Sequence, residues 1–385
     1  MDIDATLDQV ERLKTALVDY ALSPGFAKRL AAIRQRSSLQ GGSMEKLTDA
    51  VESLLYEGGD GREPLLDRYL RTNKTLTPQD RAVYEAWRDS NVFGAFRVEK
   101  SNGAELLLHN LLDEMDYCTY ATAGVDPSSP AVRGGFGILR VVPTGELWTI
   151  SGNVSLFKPA DRPVIEDFAV KLLQQIPRLP FRNPDKLESA RALVREQHEV
   201  FTGTFGSHVV LGTGAETIDS YRTFMETLNT ELTIKNPADL SAPRTGKQIA
   251  PDSNFPSELR EAGDVALFHH PVKSTSFLVG YRVAREAHRV PPSTSQDVGA
   301  ERIRDYMYDD SVPAHVIADL AEQFPDTVNQ AYRVAFSEPG FDWKNDGAAL
   351  LRENKPTDFE DADIPDITSV PTPLRNAMLR LAQGA

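Results

Sequence analysis

The sequence predicts an α+β protein: an N-terminal helical region, a small five-stranded β-barrel-like module with a covering helix, and a mixed α/β and helical C-terminal region. Three observations predict it. Apolar residues recur at helical spacing up to about residue 88, the pattern switches to alternation near Asn91, and helical stripes return from Pro163, interrupted by short apolar runs. A chain of 385 residues exceeds one ordinary core, so several domains are expected. The pattern places them at 1–90, 91–180, 181–355 and 356–385, the last an extended acidic tether with a terminal helix.

Leu7, Val10, Leu13, Leu17 and Tyr20 share one helical face, and Ser23-Pro24-Gly25 breaks that helix. Phe26, Leu30 and Ile33 begin the next, followed by a joint at Gly41-Gly42 and a helix carrying Met44, Leu47, Val51 and Leu54. Thr77-Pro78-Gln79-Asp80 is a helix start: a hydroxyl cap, proline in the first turn, and an acid near the positive end of the dipole. Val83 and Trp87 lie one turn apart on that helix and face a core.

Beyond Asn91, Phe96 and Val98 alternate with Arg97 and Glu99 as in a strand. Asn102-Gly103 is a hairpin turn because both residues tolerate positive φ. Return strands are expected over 105–111, 117–122, 136–142 and 147–150, with a proline- and glycine-bearing loop from Gly124 to Gly135. Five short strands joined mostly by tight turns suggest a curled sheet or barrel. The helix opened by Pro163, with Ile165, Phe168, Leu172 and Ile176 along one stripe, covers it.

From Pro180 onward the expected elements are a helix ending at Gly203, a strand over 205–211, a helix with Ile218, Tyr221, Met225 and Leu228, and a long loop from Thr233 to Pro256. Two short strands flank Pro271. Three helices with breaks at Pro313 and Pro325 occupy 299–337. Pro356 to Pro373 reads as the tether, and Leu374, Met378 and Leu381 mark the last helix.

The formal net charge is −14, from 42 basic and 56 acidic side chains, a field that repels phosphate backbones. Lys28, Arg29, Arg34 and Arg36 read as a solvated helix face. No apolar run spans a bilayer and the acidic start lacks a secretory pattern, so a cytoplasmic protein without membrane contact is expected. The single cysteine, Cys118, reads as a small buried hydrophobe.

Motifs for chemistry are sparse, and no cofactor is expected. Gly212-Thr213-Gly214 precedes a helix but lacks the third glycine of a dinucleotide fingerprint. Gly246-Lys247 lacks the glycine and the hydroxyl of a phosphate loop. Ser207 lacks the second glycine of a nucleophile elbow. The acids Asp358, Glu360, Asp361, Asp363 and Asp366 lack the spacing of a calcium loop.

Seven histidines are present: His109, His198, His208, His269, His270, His288 and His315. His198 falls on the stripe of Leu187, Val194 and Phe201 and reads as a packed residue. His269 and His270 end an apolar strand, and His208 sits where a turn enters another. These three, His208, His269 and His270, are the candidate metal ligands, although adjacent strand residues point to opposite faces.

The segments "VFGAFRVEKSNGAELLLHNLLDEMDY" and "GILRVVPTGELWTISG" resemble a module of uncharacterised bacterial proteins, many of which carry a C-terminal SEC-C zinc motif. "HEVFTGTFGSHVVLGTG", "GDVALFHHPVKSTSFLVGY" and "PGFDWKNDGAALLRENKP" are similar to their downstream parts. The resemblance implies a fold and little chemistry. The cysteine cluster of that tail is absent, so its zinc site does not carry over. The leading expectation is a non-catalytic interaction or adaptor protein whose partner is another protein with a basic or apolar face. The rivals are an enzyme assembled around His208, His269 and His270, and a nucleic-acid binder using the barrel.

Overall fold

The computed structural model describes residues 3–36, 43–58, 62–120, 134–235, 250–360, 363–367 and 369–383. The chain is mixed α+β and divides into two compact units, Met1–Asn183 with Ser369–Ala385, and Pro184–Thr368. The N-terminal helices and the strand module therefore share one unit, to which the terminal segment returns.

In the first unit, α1 (Ile3–Ala21), α2 (Ala27–Arg36), α3 (Ser43–Tyr56), α4 (Leu65–Thr72) and α5 (Pro78–Ser90) pool their apolar stripes. Leu13, Leu17, Leu54, Leu55, Leu66 and Trp87 lie in the shared core. Thr77 caps α5 by accepting from the Asp80 backbone N–H at 3.1 Å. Trp87 is fully buried, and its indole N–H donates to the Pro143 carbonyl at 3.0 Å, tying bundle to strands.

The strands β1 (Val92–Asn102), β2 (Glu105–Asn110), β3 (Asp116–Tyr120), β4 (Phe136–Thr144) and β5 (Leu147–Phe157) pair in the circuit β1-β2-β3-β5-β4, and β4 closes back onto β1. Every pairing is antiparallel except that of β3 with β5. The five strands thus form a closed barrel. Alternation turns Phe96, Leu106, Leu108, Tyr117, Leu139 and Val141 inward. The same alternation corrects the reading of Cys118: Tyr117 and Thr119 take the inner face, so the thiol is exposed. α6 (Arg162–Gln175) covers another side of the barrel with Ile165, Ala169 and Leu173, joined by Leu374 and Ala377 at the terminal helix Arg375–Gln383. The loop expected from Gly124 to Gly135 lies almost wholly outside the described residues.

In the second unit, α7 (Pro184–Phe205) precedes β6 (Val209–Gly212), α8 (Gly214–Lys235), α9 (Ser257–Glu261), β7 (Val265–His270) and β8 (Ser274–Val279). Then come α10 (Tyr281–Arg289), α11 (Val298–Tyr308), α12 (Ala314–Gln323), α13 (Val328–Phe336), α14 (Trp343–Asn354) and α15 (Pro356–Glu360). The strands form an antiparallel sheet ordered β6-β7-β8. Central β7 is buried on both faces. Ala266 and Phe268 join the core built with α10 to α14, while Leu267 packs with Phe201 and Phe224 of α7 and α8.

Three boundaries differ from the sequence reading. α7 passes Gly203 and stops at Gly206, whose φ of +70° is the left-handed turn that ends a helix, so the following strand is shortened to Val209–Gly212. α8 continues to Lys235; of the loop expected from Thr233 to Pro256, residues 236–249 lie outside the described residues. The supposed tether is held to its unit. Asp358 accepts from the Ala314 N–H at 2.5 Å, and the Ile364 carbonyl accepts from Lys273 Nζ at 2.8 Å. Asp358 acts locally, at the start of the helix that Ala314 opens.

Candidate functional site

Three polar constellations stand out. The first is the outer face of β2 and β3. Register sets its side chains in rows: Glu105 opposite Tyr120, Leu107 opposite Cys118, His109 opposite Asp116. The Tyr120 hydroxyl donates to Glu105 at 2.7 Å, and His109 Nδ1 lies 2.8 Å from Asp116. Glu146, in the β4–β5 turn, is also exposed. On neighbouring β1, Arg97 is tied to Glu99, with Lys100 beyond. Carboxylates thus dominate where a nucleic-acid binder needs cations and flat, open aromatics. Tyr120, the aromatic on this face, is only 7% exposed.

The second constellation gathers five histidines of the second unit around the two faces of β7. On one face, His198 of α7 and His269 bring their Nδ1 atoms to 3.3 Å, with the His269 ring 5.1 Å from that of Phe201 and 5.5 Å from that of Phe224. On the other, the His270 and His315 rings stand 4.3 Å apart, and His208 Nε2 lies 3.5 Å from Asp319 Oδ1. Burial, followed by the neighbouring His198, pushes His269 down to about 4; burial, followed by His270, pushes His315 down to about 3. His198 and His270 are lowered for the same leading reason, burial. His208 moves the other way, raised by its contact with Asp319.

This geometry separates the three candidate metal ligands. His269 is fully buried and faces α7, whereas His270 points to α12. The backbone N–H groups of Val272 and Lys273 both donate to His270 Nδ1, at 3.1 Å each. A neutral ring accepting there carries its proton on Nε2, so neither nitrogen offers a lone pair to a metal. His208 is paired with Asp319. Among the described residues, no three His, Cys, Asp or Glu side chains are grouped to hold a metal ion. His198 and His315, which do take part in the cluster, were not among the sequence candidates.

The third constellation had no sequence signal. Lys14 of α1 lies 2.6 Å from Glu52 Oε1 and 2.6 Å from the Ser151 hydroxyl, which donates to Glu52 Oε2 at 2.9 Å. Arg140 of β4 places Nε 3.5 Å from Glu52, reaches Glu57 and Asn91, and stacks 4.5 Å over the Tyr56 ring. A lysine beside a serine suggests a nucleophile and its base, but that chemistry needs a neutral amine. Burial opposes the charge on Lys14; Glu52 and Tyr56 more than offset it, and the amine is held protonated. The group is a buried ionic tie between helices and barrel.

The glycine turn before α8 is likewise structural. Glu216 accepts from the Thr213 N–H at 2.7 Å and from its hydroxyl at 3.0 Å, so a carboxylate already occupies the helix N-terminus. Gly246-Lys247 lies outside the described residues. The Ser207 hydroxyl accepts from the Val209 N–H at 3.1 Å, as a turn residue does. Among the described residues, no helix is long and apolar enough to cross a membrane.

Compared with family models, with curated proteins and with solved structures, the chain matches none.

Proposed function

We propose that the protein is a non-catalytic interaction protein whose barrel takes a cationic segment of another protein on its β2–β3 face. The observation that carries this reading is the charge of that face: Glu105 and Asp116 are exposed on it, and Glu146 is exposed in the β4–β5 turn. A cationic polypeptide gains Coulomb attraction and releases counterions there, while a phosphate backbone is repelled. Connectivity alone does not assign a ligand, because one fold hosts many functions; the sign of the charge favours a protein over nucleic acid.

The test compares a labelled oligolysine peptide with a labelled single-stranded oligonucleotide by fluorescence anisotropy. The peptide should bind, weakening at least about tenfold between low and high salt. The double variant Glu105→Gln/Asp116→Asn should weaken peptide binding about fivefold or more. The variant Glu258→Gln/Glu261→Gln, which removes the same number of exposed acids from α9, should not. Equal losses in both variants, or oligonucleotide binding as tight as the peptide's, would overturn the proposal.

A further inference from the structure

We propose that the imidazole pairs on the two faces of β7 form an acid-operated latch, which clamps the strand between α7 and α12 when neutral and releases it when protonated. The geometry is that of a clamp. β7 is the middle strand of its sheet, and each face meets a histidine from a different helix: His198 at 3.3 Å on one side, His315 with ring centroids at 4.3 Å on the other. A hydrogen bond between two Nδ1 atoms requires one of them to be unprotonated, so that contact is lost once both rings are cations. The His270 contacts to Val272 and Lys273 require an unprotonated Nδ1 as well. Two imidazolium rings at ring-contact distance repel in a site of low dielectric.

The surrounding charges act on both sides of β7. The His198–His269 side feels Glu199 and His208. The His270–His315 side feels Lys273, which adds repulsion, and Asp319, which favours a cation. Asp319 also holds His208, so one carboxylate serves three imidazoles.

The direction with pH follows from linkage. Each of the four imidazoles is held below its ordinary value in the folded chain. The stability from their neutral packing is therefore complete above about pH 6.5 and is lost as pH falls toward the lowered values, about 4 for His269 and about 3 for His315. His208 has the opposite sign: its ion pair with Asp319 is fully present below about pH 6.5 and lost as pH rises through its raised folded value.

Hydrogen exchange of the full chain, corrected for intrinsic rates, tests the latch. Between about pH 7.5 and pH 5, protection in β7, the second half of α7 and α12 should fall at least about tenfold, while β1 and β4 of the barrel keep theirs. His269→Gln and His315→Gln, which keep a polar side chain but cannot titrate, should each move the opening about one pH unit lower. Unchanged protection of these segments in the wild type would sink the latch, as would variants that open at the wild-type pH. If a variant does not fold, the ring Cε1–H resonances of the wild-type histidines decide. They should shift together at the pH where protection is lost; independent titrations with protection intact would refute the coupling.

Discussion

Glu52→Gln should destabilise the first unit by about 3–5 kcal/mol, the largest polar effect expected in it. The substitution keeps the shape of the side chain and much of its hydrogen bonding but removes its charge. Lys14 and Arg140 would then face each other around a neutral amide, with side chains only 20% and 5% exposed. Breaking a buried ionic group on one side is costly because the opposite charges stay desolvated without compensation. Glu57→Gln is the control. Its carboxylate also meets Arg140 but is 45% exposed, and it should change stability by less than about 1 kcal/mol. Urea unfolding followed by tryptophan fluorescence in a Trp343→Phe background reads the first unit through Trp87 and Trp148. Equal, small losses in both variants would mean that water reaches the Lys14–Glu52–Arg140 group.

That network shows which part of the architecture a sequence conceals. Lys14 and Glu52 are 38 positions apart, and Lys14 and Ser151 are 137 apart. No local period marks either separation. Elements with a local cause were legible: the Thr77 cap, the Asn102-Gly103 hairpin, the alternation of β1, the stripe of α6. Their assembly into a closed circuit was legible in outline, because tight turns force neighbours to pair; the parallel β3–β5 contact was not, since nothing between those strands signals it. Cys118 was misplaced because residue type was weighed above the register of its own strand. The histidines divide in the same way. The neighbourhood of His208 with His269 follows from strand pairing, seen in the bond from His269 N–H to the His208 carbonyl at 2.9 Å. The parts played by His198 and His315 depend on how α7 and α12 lie against β7, a tertiary fact without a sequence period.

Gly214→Ala should destabilise the second unit by about 3 kcal/mol, while Gly203→Ala, also within a helix, should stabilise it by about 0.5–1 kcal/mol. The sign differs because of what a Cβ would meet. At Gly203 it meets nothing within 4 Å, and the substitution only removes freedom from the unfolded chain. At Gly214 it would stand 1.7 Å from the Leu259 backbone oxygen. A backbone carbonyl cannot swing aside as the tip of a side chain can. The segment from Leu259 to Ala262 must move instead, straining the bond from Gly214 N–H to the Ala262 carbonyl at 2.8 Å. Leu259 also leans on the small core of Ile218, Ala250 and Phe255, so the displacement spreads to the packing of α8. Hydrogen exchange in α8 and calorimetry on both variants measure the two signs together. A neutral Gly214→Ala would show that the α8–α9 contact is loose, and the glycine-rich turn would then need a reason other than close backbone approach.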